Sequence, residues 1–126
     1  MNLDIAGKNI FISGSSKGIG FGIANILLSE GCNVIINGRN KDSLEESKNI
    51  LENKYKTTVP VILGDISKNN TINKLNSNSI QSLGPINGII ANTGSVKNVH
   101  DWDIPKTDWD WYFSNNFFVA SNLIQK

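Results

Sequence analysis

Three glycines set four and then two residues apart carry the first chemistry this sequence suggests: Ser13-Gly14-Ser15-Ser16-Lys17-Gly18-Ile19-Gly20. Glycines let a backbone turn tightly and let a phosphate come up against main-chain N–H groups. A helix that starts there points the positive end of its dipole at the anion. The spacing is Gly-x-x-x-Gly-x-Gly and not Gly-x-Gly-x-x-Gly, because Ile23 stands where the third glycine would fall. No Gly-Lys-Ser/Thr follows, so it is not a nucleotide triphosphate loop. An ordinary strand–helix turn is the alternative reading. A second candidate is Asn116, which falls among Trp109, Tyr112, Phe113, Phe117, Ala120, Leu123 and Ile124 at spacings of three and four. That pattern predicts an apolar helix face against the core, and a buried amide in it must find partners. From spacing alone, Asn116 reads as a core amide that fixes packing.

Other chemistry-bearing residues say less. His100 stands alone in a polar stretch with no cysteine near it, which suits a solvated side chain better than a metal ligand. Asp101, Asp103, Asp108 and Asp110 cluster, but they alternate with Trp102, Trp109 and Trp111 at a helix start. Acids there suit the helix dipole, and no metal site is expected. Cys32, the only cysteine, rules out an internal disulfide, fits a reducing compartment and reads as a small buried filler.

The elements that must position these residues alternate between strand and helix. Asn9–Ser13 is a short apolar run ending at the glycine loop, which predicts a buried strand. Ile19, Ile23, Ile26 and Leu27 follow at helical spacing, and Gly31 ends that helix. Asn33–Asn37 predicts a second strand, apolar on both faces. Asn40 caps the next helix, with Asp42 in its first turn and Leu44 and Leu51 on its inner face. Val59–Leu63 predicts a third strand. Ser67 caps a weaker, Asn- and Ser-rich helix through Leu83, carried by Ile72, Leu75, Ile80 and Leu83. Gly88–Asn92 predicts a fourth strand, and a helix runs from about Lys106 to the end. Alternation with two-sidedly apolar strands means an α/β fold with a parallel sheet covered on both faces: a doubly wound, Rossmann-type sheet in a single domain. Pro60 belongs on an edge strand, which strand three is in the order 3-2-1-4-5-6.

The loop Ser13–Gly20 closely resembles the cofactor loop of the short-chain dehydrogenase/reductase family, with Ser13 in place of the usual Thr. Three further matches follow in the family's order. Gly64-Asp65-Ile66 resembles the segment whose Asp contacts the adenine ring. Ala91-Asn92-Thr93-Gly94 resembles the family's Asn-Asn-Ala-Gly, with Ala for the first Asn and Thr for the Ala. Trp109 with Asn116 seven residues later resembles the helix bearing the active-site Asn. The resemblance implies cofactor contacts from Gly14, Ser16, Lys17, Gly18, Ile19, Gly20, Asp65, Ile66, Asn92 and Gly94. It also implies a proton relay in which Asn116 joins a Ser and a Tyr-x-x-x-Lys pair. That pair is not in this sequence, since Tyr55 and Tyr112 are followed four residues later by Val59 and Asn116. Residues 1–126 are therefore expected to be the N-terminal, cofactor-binding half, truncated after the fourth βα unit, with strand four left as an apolar edge that favours self-association.

The second strand selects between cofactors. An acid at its end would accept the ribose 2′-OH of NAD, whereas an Arg nearby accommodates a 2′-phosphate. The sequence reads Asn37-Gly38-Arg39-Asn40, and Lys17 adds a second cation, so NADP(H) is expected. The resulting expectation is a hydride-transferring oxidoreductase acting on a carbonyl or alcohol, of the 3-oxoacyl-thioester or small-ketone reductase type, and a homo-oligomer when complete. A non-catalytic nucleotide-binding module is one alternative. A nucleotide-sugar epimerase or dehydratase is another, with Gly-x-x-Gly-x-x-Gly as its usual loop. A net charge of +1 gives no pull toward nucleic acid or anionic lipid. No apolar run approaches a bilayer's width, and no basic-then-apolar N-terminus marks a signal peptide, so a cytoplasmic chain is expected.

Overall fold

The computed structural model describes residues 2–94 and 105–125. Four parallel strands, β1 (Asn9–Ile12), β2 (Asn33–Gly38), β3 (Val61–Leu63) and β4 (Gly88–Ile90), lie in the order β3-β2-β1-β4. Their registers pair Phe11 with Ile35 and Ile89, and Asn37 with Ile62. Successive strand residues point to opposite faces, so a strand apolar throughout needs cover on both sides. Ile12, Val34 and Ile36 face α1 (Gly18–Ser29) and α2 (Lys41–Tyr55), where they pack with Ala24, Leu28, Leu44 and Leu51. Phe11, Ile35 and Ile62 face the other way, onto Ile66, Ile72, Ile80, Val119 and Leu123. The doubly wound sheet expected from the alternation is the one observed, and β3, the strand that follows Pro60, lies at its edge.

The helices hold several corrections. On α1 the buried residues are Gly20, Ala24 and Leu28, whereas Ile19 and Ile26 are 77% and 59% exposed. Ile23 and Leu27, from the same run, pack partly buried against the core, and the small residues allow the close approach to the sheet. Ser67 is no helix cap. Its N–H is taken by the Asp65 carboxylate at 2.9 Å, and Lys68 precedes α3 (Asn69–Asn73) without a side-chain cap. The helix expected through Leu83 is broken into α3, a 3-10 turn at Lys74–Asn76 and α4 (Asn78–Gln81), with Ser77 extended between the last two. Asn and Ser compete with the helical backbone for hydrogen bonds, so this segment does not hold one continuous ladder. The strand expected over Val59–Leu63 begins at Val61, although Val59 is fully buried beneath it.

The last helix is also segmented, into α5 (Lys106–Phe113), a π-turn at Ser114–Phe118 and α6 (Val119–Gln125). Val119 and Leu123 are buried, while Trp109, Phe113, Phe117 and Ile124 are about half exposed or more. Of the expected inner stripe Leu123 is fully buried, but Trp109, Phe113, Phe117 and Ile124 lie outward, and Asn116 among them is exposed. Val119, outside the expected stripe, joins Leu123 in the core, while Ile124 is left outside, so periodicity alone does not say which residues turn inward. His100, Asp101, Trp102 and Asp103 lie outside the described residues. Asp108 occupies the first turn of α5, and Lys106 pairs with Asp110 at 3.7 Å. Cys32 is buried as expected; burial, and then Glu30, push its thiol pKa up.

These assignments separate in a stability measurement. Leu51→Ala, at a fully buried position, is expected to cost about 2–5 kcal/mol in urea unfolding. Ile26→Ala is expected to stay within about 0.5 kcal/mol. Equal losses would return Ile26 to the inner face.

Candidate functional site

The C-terminal ends of the four strands meet at the glycine loop. Gly14 turns out of β1 at φ +59°, a conformation that favours glycine. Its N–H donates to Asn37 Oδ1 at 3.1 Å, and its carbonyl accepts from Asn92 Nδ2 at 3.1 Å. Asn37 is the penultimate residue of β2 and Asn92 follows β4, so the loop is fixed from both sides. Ser15 adds two links to β2: its N–H donates to the Asn37 carbonyl at 2.8 Å, and its Oγ accepts the Asn37 N–H at 2.9 Å. Ser16 is anchored from α2, where the buried Ser47 hydroxyl donates to its carbonyl. Ser13 ties β1 to β4 by donating its N–H to the Ile90 carbonyl at 3.1 Å.

The loop then enters α1 with Lys17 at the cap position and Gly18 at φ +62°. No side chain caps this helix and no acid lies in its first turn. α2 is finished differently: Asn40 Oδ1 accepts the Ser43 N–H at 3.0 Å, and Asp42 lies in the first turn. The first N–H groups of a helix lack intrahelical partners, so the start of α1 keeps donors and a positive dipole end for an outside anion. Gly20 is buried against the loop. A Cβ there would lie 2.5 Å from the Gly14 carbonyl oxygen and 2.6 Å from Asn92 Nδ2. A Cβ on Gly18 would meet nothing within 4 Å, so the loop is open on that side. The Thr93 hydroxyl oxygen, beside Asn92, is buried without a hydrogen-bond partner. A glycine-lined, uncapped helix start fits a dinucleotide's pyrophosphate.

The remaining candidates surround this loop. Arg39 and Lys17 are exposed just past the ends of β2 and β1. Asp65 follows β3. Its carboxyl is held below the usual carboxylate range by the Ser67 N–H, then by the Ser67 hydroxyl, with smaller help from Arg39 and Lys68. Ile66 points its side chain into the core, 7% exposed. A groove of about 420 Å³ runs between Asp65–Lys68 and the helix residues Ser114, Asn115, Phe118 and Asn122, and it includes none of the glycine-loop residues. Asn116 donates Nδ2 to the Tyr112 carbonyl at 3.0 Å. A Cβ on Gly94 would lie 2.8 Å from Asn116 Oδ1, so the amide lies against the segment after β4. No cluster of His, Cys, Asp and Glu among the described residues could hold a metal. Sequence reasoning missed Asn37 and Ser47. The available signal was a polar residue within an apolar strand and another between Leu44 and Leu51 on a buried helix face.

Comparison with known proteins fits this geometry. The sequence model for short chain dehydrogenases matches residues 8–126. The chain is 34% identical over 111 residues to dehydrogenase/reductase SDR family member 4 of Caenorhabditis elegans, covering 87% of this chain and 43% of that protein. It is 28% identical over 123 residues to the 3-oxoacyl-[acyl-carrier-protein] reductase of Chlamydia muridarum, covering 98% of this chain and 50% of that one. L-sorbose reductase from Gluconobacter frateurii, solved with NADPH and L-sorbose, superposes with a TM-score of 0.87 at 26% identity, over 99% of this chain and 48% of that one. The chain spans about half the length or less of these relatives.

Two glycines on one helix give a test of the loop geometry. Gly20→Ala forces a methyl into backbone and is expected to cost about 1–3 kcal/mol, with loss of dinucleotide binding. Gly22→Ala meets open space and is expected to raise stability by about 0.5–1 kcal/mol. Thermal melting of both variants checks this, and equal effects would refute the close approach.

Proposed function

This chain belongs to the short-chain dehydrogenase family, and on that premise we propose that it is the NADP(H)-binding part of a reductase acting on a small carbonyl or alcohol substrate. The observation that carries the reading is the end of β2. A Cβ on Gly38 would lie 2.9 Å from Ser16 Oγ, so the loop occupies the room a carboxylate would need at that position. Next to it stand the exposed cations Arg39 and Lys17. A guanidinium grips a phosphate in a fork, and an ammonium adds a point charge. The relative solved with NADPH supports the same choice.

The bound nicotinamide would accept or deliver the hydride. The residues of this chain would do the holding: the start of α1 takes the pyrophosphate, Arg39 and Lys17 the 2′-phosphate, and Asp65 the adenine. Asn116, held through Tyr112 and lying against Gly94, is proposed as the family's active-site Asn. It positions and does not itself deliver the proton, because residues 1–126 contain no Tyr-x-x-x-Lys. These residues therefore make up the cofactor half of the activity.

Two outcomes test this reading. Arg39→Ala is expected to weaken NADP⁺ by roughly 10- to 100-fold and leave NAD⁺ almost unchanged, because a charged hydrogen bond contributes about 1.5–3 kcal/mol. Equal losses for both cofactors in calorimetric titration would refute the 2′-phosphate assignment. The 126-residue chain, offered NADPH and a panel of ketones, is expected to show no turnover. Measurable oxidation of NADPH would place a proton donor within these residues.

A further inference from the structure

Two buried asparagines stitch this sheet, one at each end. At the N-terminal end Asn9 donates Nδ2 to the carbonyls of Leu83 and Pro85, at 2.8 and 2.9 Å, and accepts from Asn33 at 2.9 Å. At the C-terminal end Asn37, 2% exposed, donates Nδ2 to the carbonyls of Ile62 and Gly64, at 2.9 and 3.2 Å, and accepts the Gly14 N–H. Chemistry fixes the orientation of the Asn37 amide: turned over, its oxygen would face two carbonyls and its NH₂ would face an N–H. Only Asn37 touches the glycine loop.

We propose that Asn37 is a positioning residue for the cofactor's pyrophosphate, fixing the main chain at Gly14 so that the donors at the start of α1 face the anion. This inference rests on the cofactor reading above. The amide and main chain of Asn37 hold Gly14 and Ser15 as one unit, and Ser15 Oγ in turn donates to the Ile12 carbonyl at 2.7 Å. A loop held before binding loses less freedom on binding, so the clamp acts on affinity. Its contribution falls on the pyrophosphate, which NAD⁺ and NADP⁺ share. The 2′-phosphate lies with Arg39 and Lys17, outside the clamp.

The test titrates NADP⁺, NAD⁺ and 2′-AMP, which lacks the pyrophosphate, into the wild type, Asn37→Ser and Asn9→Ser. Asn37→Ser is expected to weaken NADP⁺ and NAD⁺ by the same roughly 5- to 20-fold factor and to leave 2′-AMP within about twofold. Asn9→Ser, which removes the matching clamp at the far end, is expected to lower the melting temperature without changing any of the three affinities. Asn37→Asp supplies a second readout. Its carboxylate would face two carbonyl oxygens, whereas the neutral acid can donate to one of them. NADP⁺ affinity is therefore expected to recover relative to wild type as the pH falls from about 8 to about 5.5. Unchanged NADP⁺ affinity in Asn37→Ser overturns the proposal. So does loss of 2′-AMP to the same degree, or the same affinity losses in Asn9→Ser. A wild-type chain that binds none of the three overturns the cofactor reading itself, and this inference with it.

Discussion

Both main-chain polar groups of Gly14 are held by asparagine amides: Asn37 takes its N–H and Asn92 its carbonyl. Because Asn37 also reaches the carbonyls of Ile62 and Gly64, these two side chains connect the C-terminal ends of all four strands. Each such bond adds only about 1 kcal/mol net, but a buried donor or acceptor left without a partner costs about 1–3 kcal/mol. The amides therefore work as a set. Removing one leaves several main-chain groups unpaired at the place where the loop must keep its shape.

The remainder of the fold supplies a rigid support for that junction. Apolar side chains on both faces of β1 and β2 lock the strands between two cores, so the strand ends cannot drift relative to one another. The helices divide the work. α2 satisfies its own first turn with Asn40 and Asp42, and its buried Ser47 holds the loop. α1 has no side-chain cap and no acid in its first turn. That missing cap at α1 is the feature the proposed pyrophosphate site relies on.

The sheet was legible in the sequence because its strands are short, apolar on both faces and punctuated by glycine; alternation and Pro60 sufficed for its order. The capping of α2 was legible because Asn40 and Asp42 act locally. What failed was the choice of which helix residues turn inward. On α1, Gly20 and Ala24 pack inward where small residues permit contact; of the expected run Ile23 and Leu27 reach the core, and Ile19 and Ile26 are left outside. On the last helix the stripe around Asn116 placed Leu123 inward correctly, but its aromatic residues Trp109, Phe113 and Phe117 lie outward, and Val119, outside the stripe, joins Leu123 in the core. The π-turn at Ser114–Phe118 adds a residue to one turn, which no 3.6-residue pattern anticipates. The glycine loop was readable as a motif, but its clamp was not. Asn37 meets Gly14 across 23 residues and Gly64 across 27, and such contacts exist only once the strands have paired.

The two holds on Gly14 differ in their reach along the chain. Asn37 lies 23 residues away and Asn92 lies 78 residues away. A chain emerging from synthesis can close the first hold once β1 and β2 have paired, and must wait for β4 to close the second. Long loops close later, because their closure entropy must be met before the contact rewards it. The loop therefore matures in two stages, with a half-secured turn present while most of the sheet is already formed. Its last hydrogen bond spans 78 residues, which couples completion of the glycine loop directly to the docking of β4.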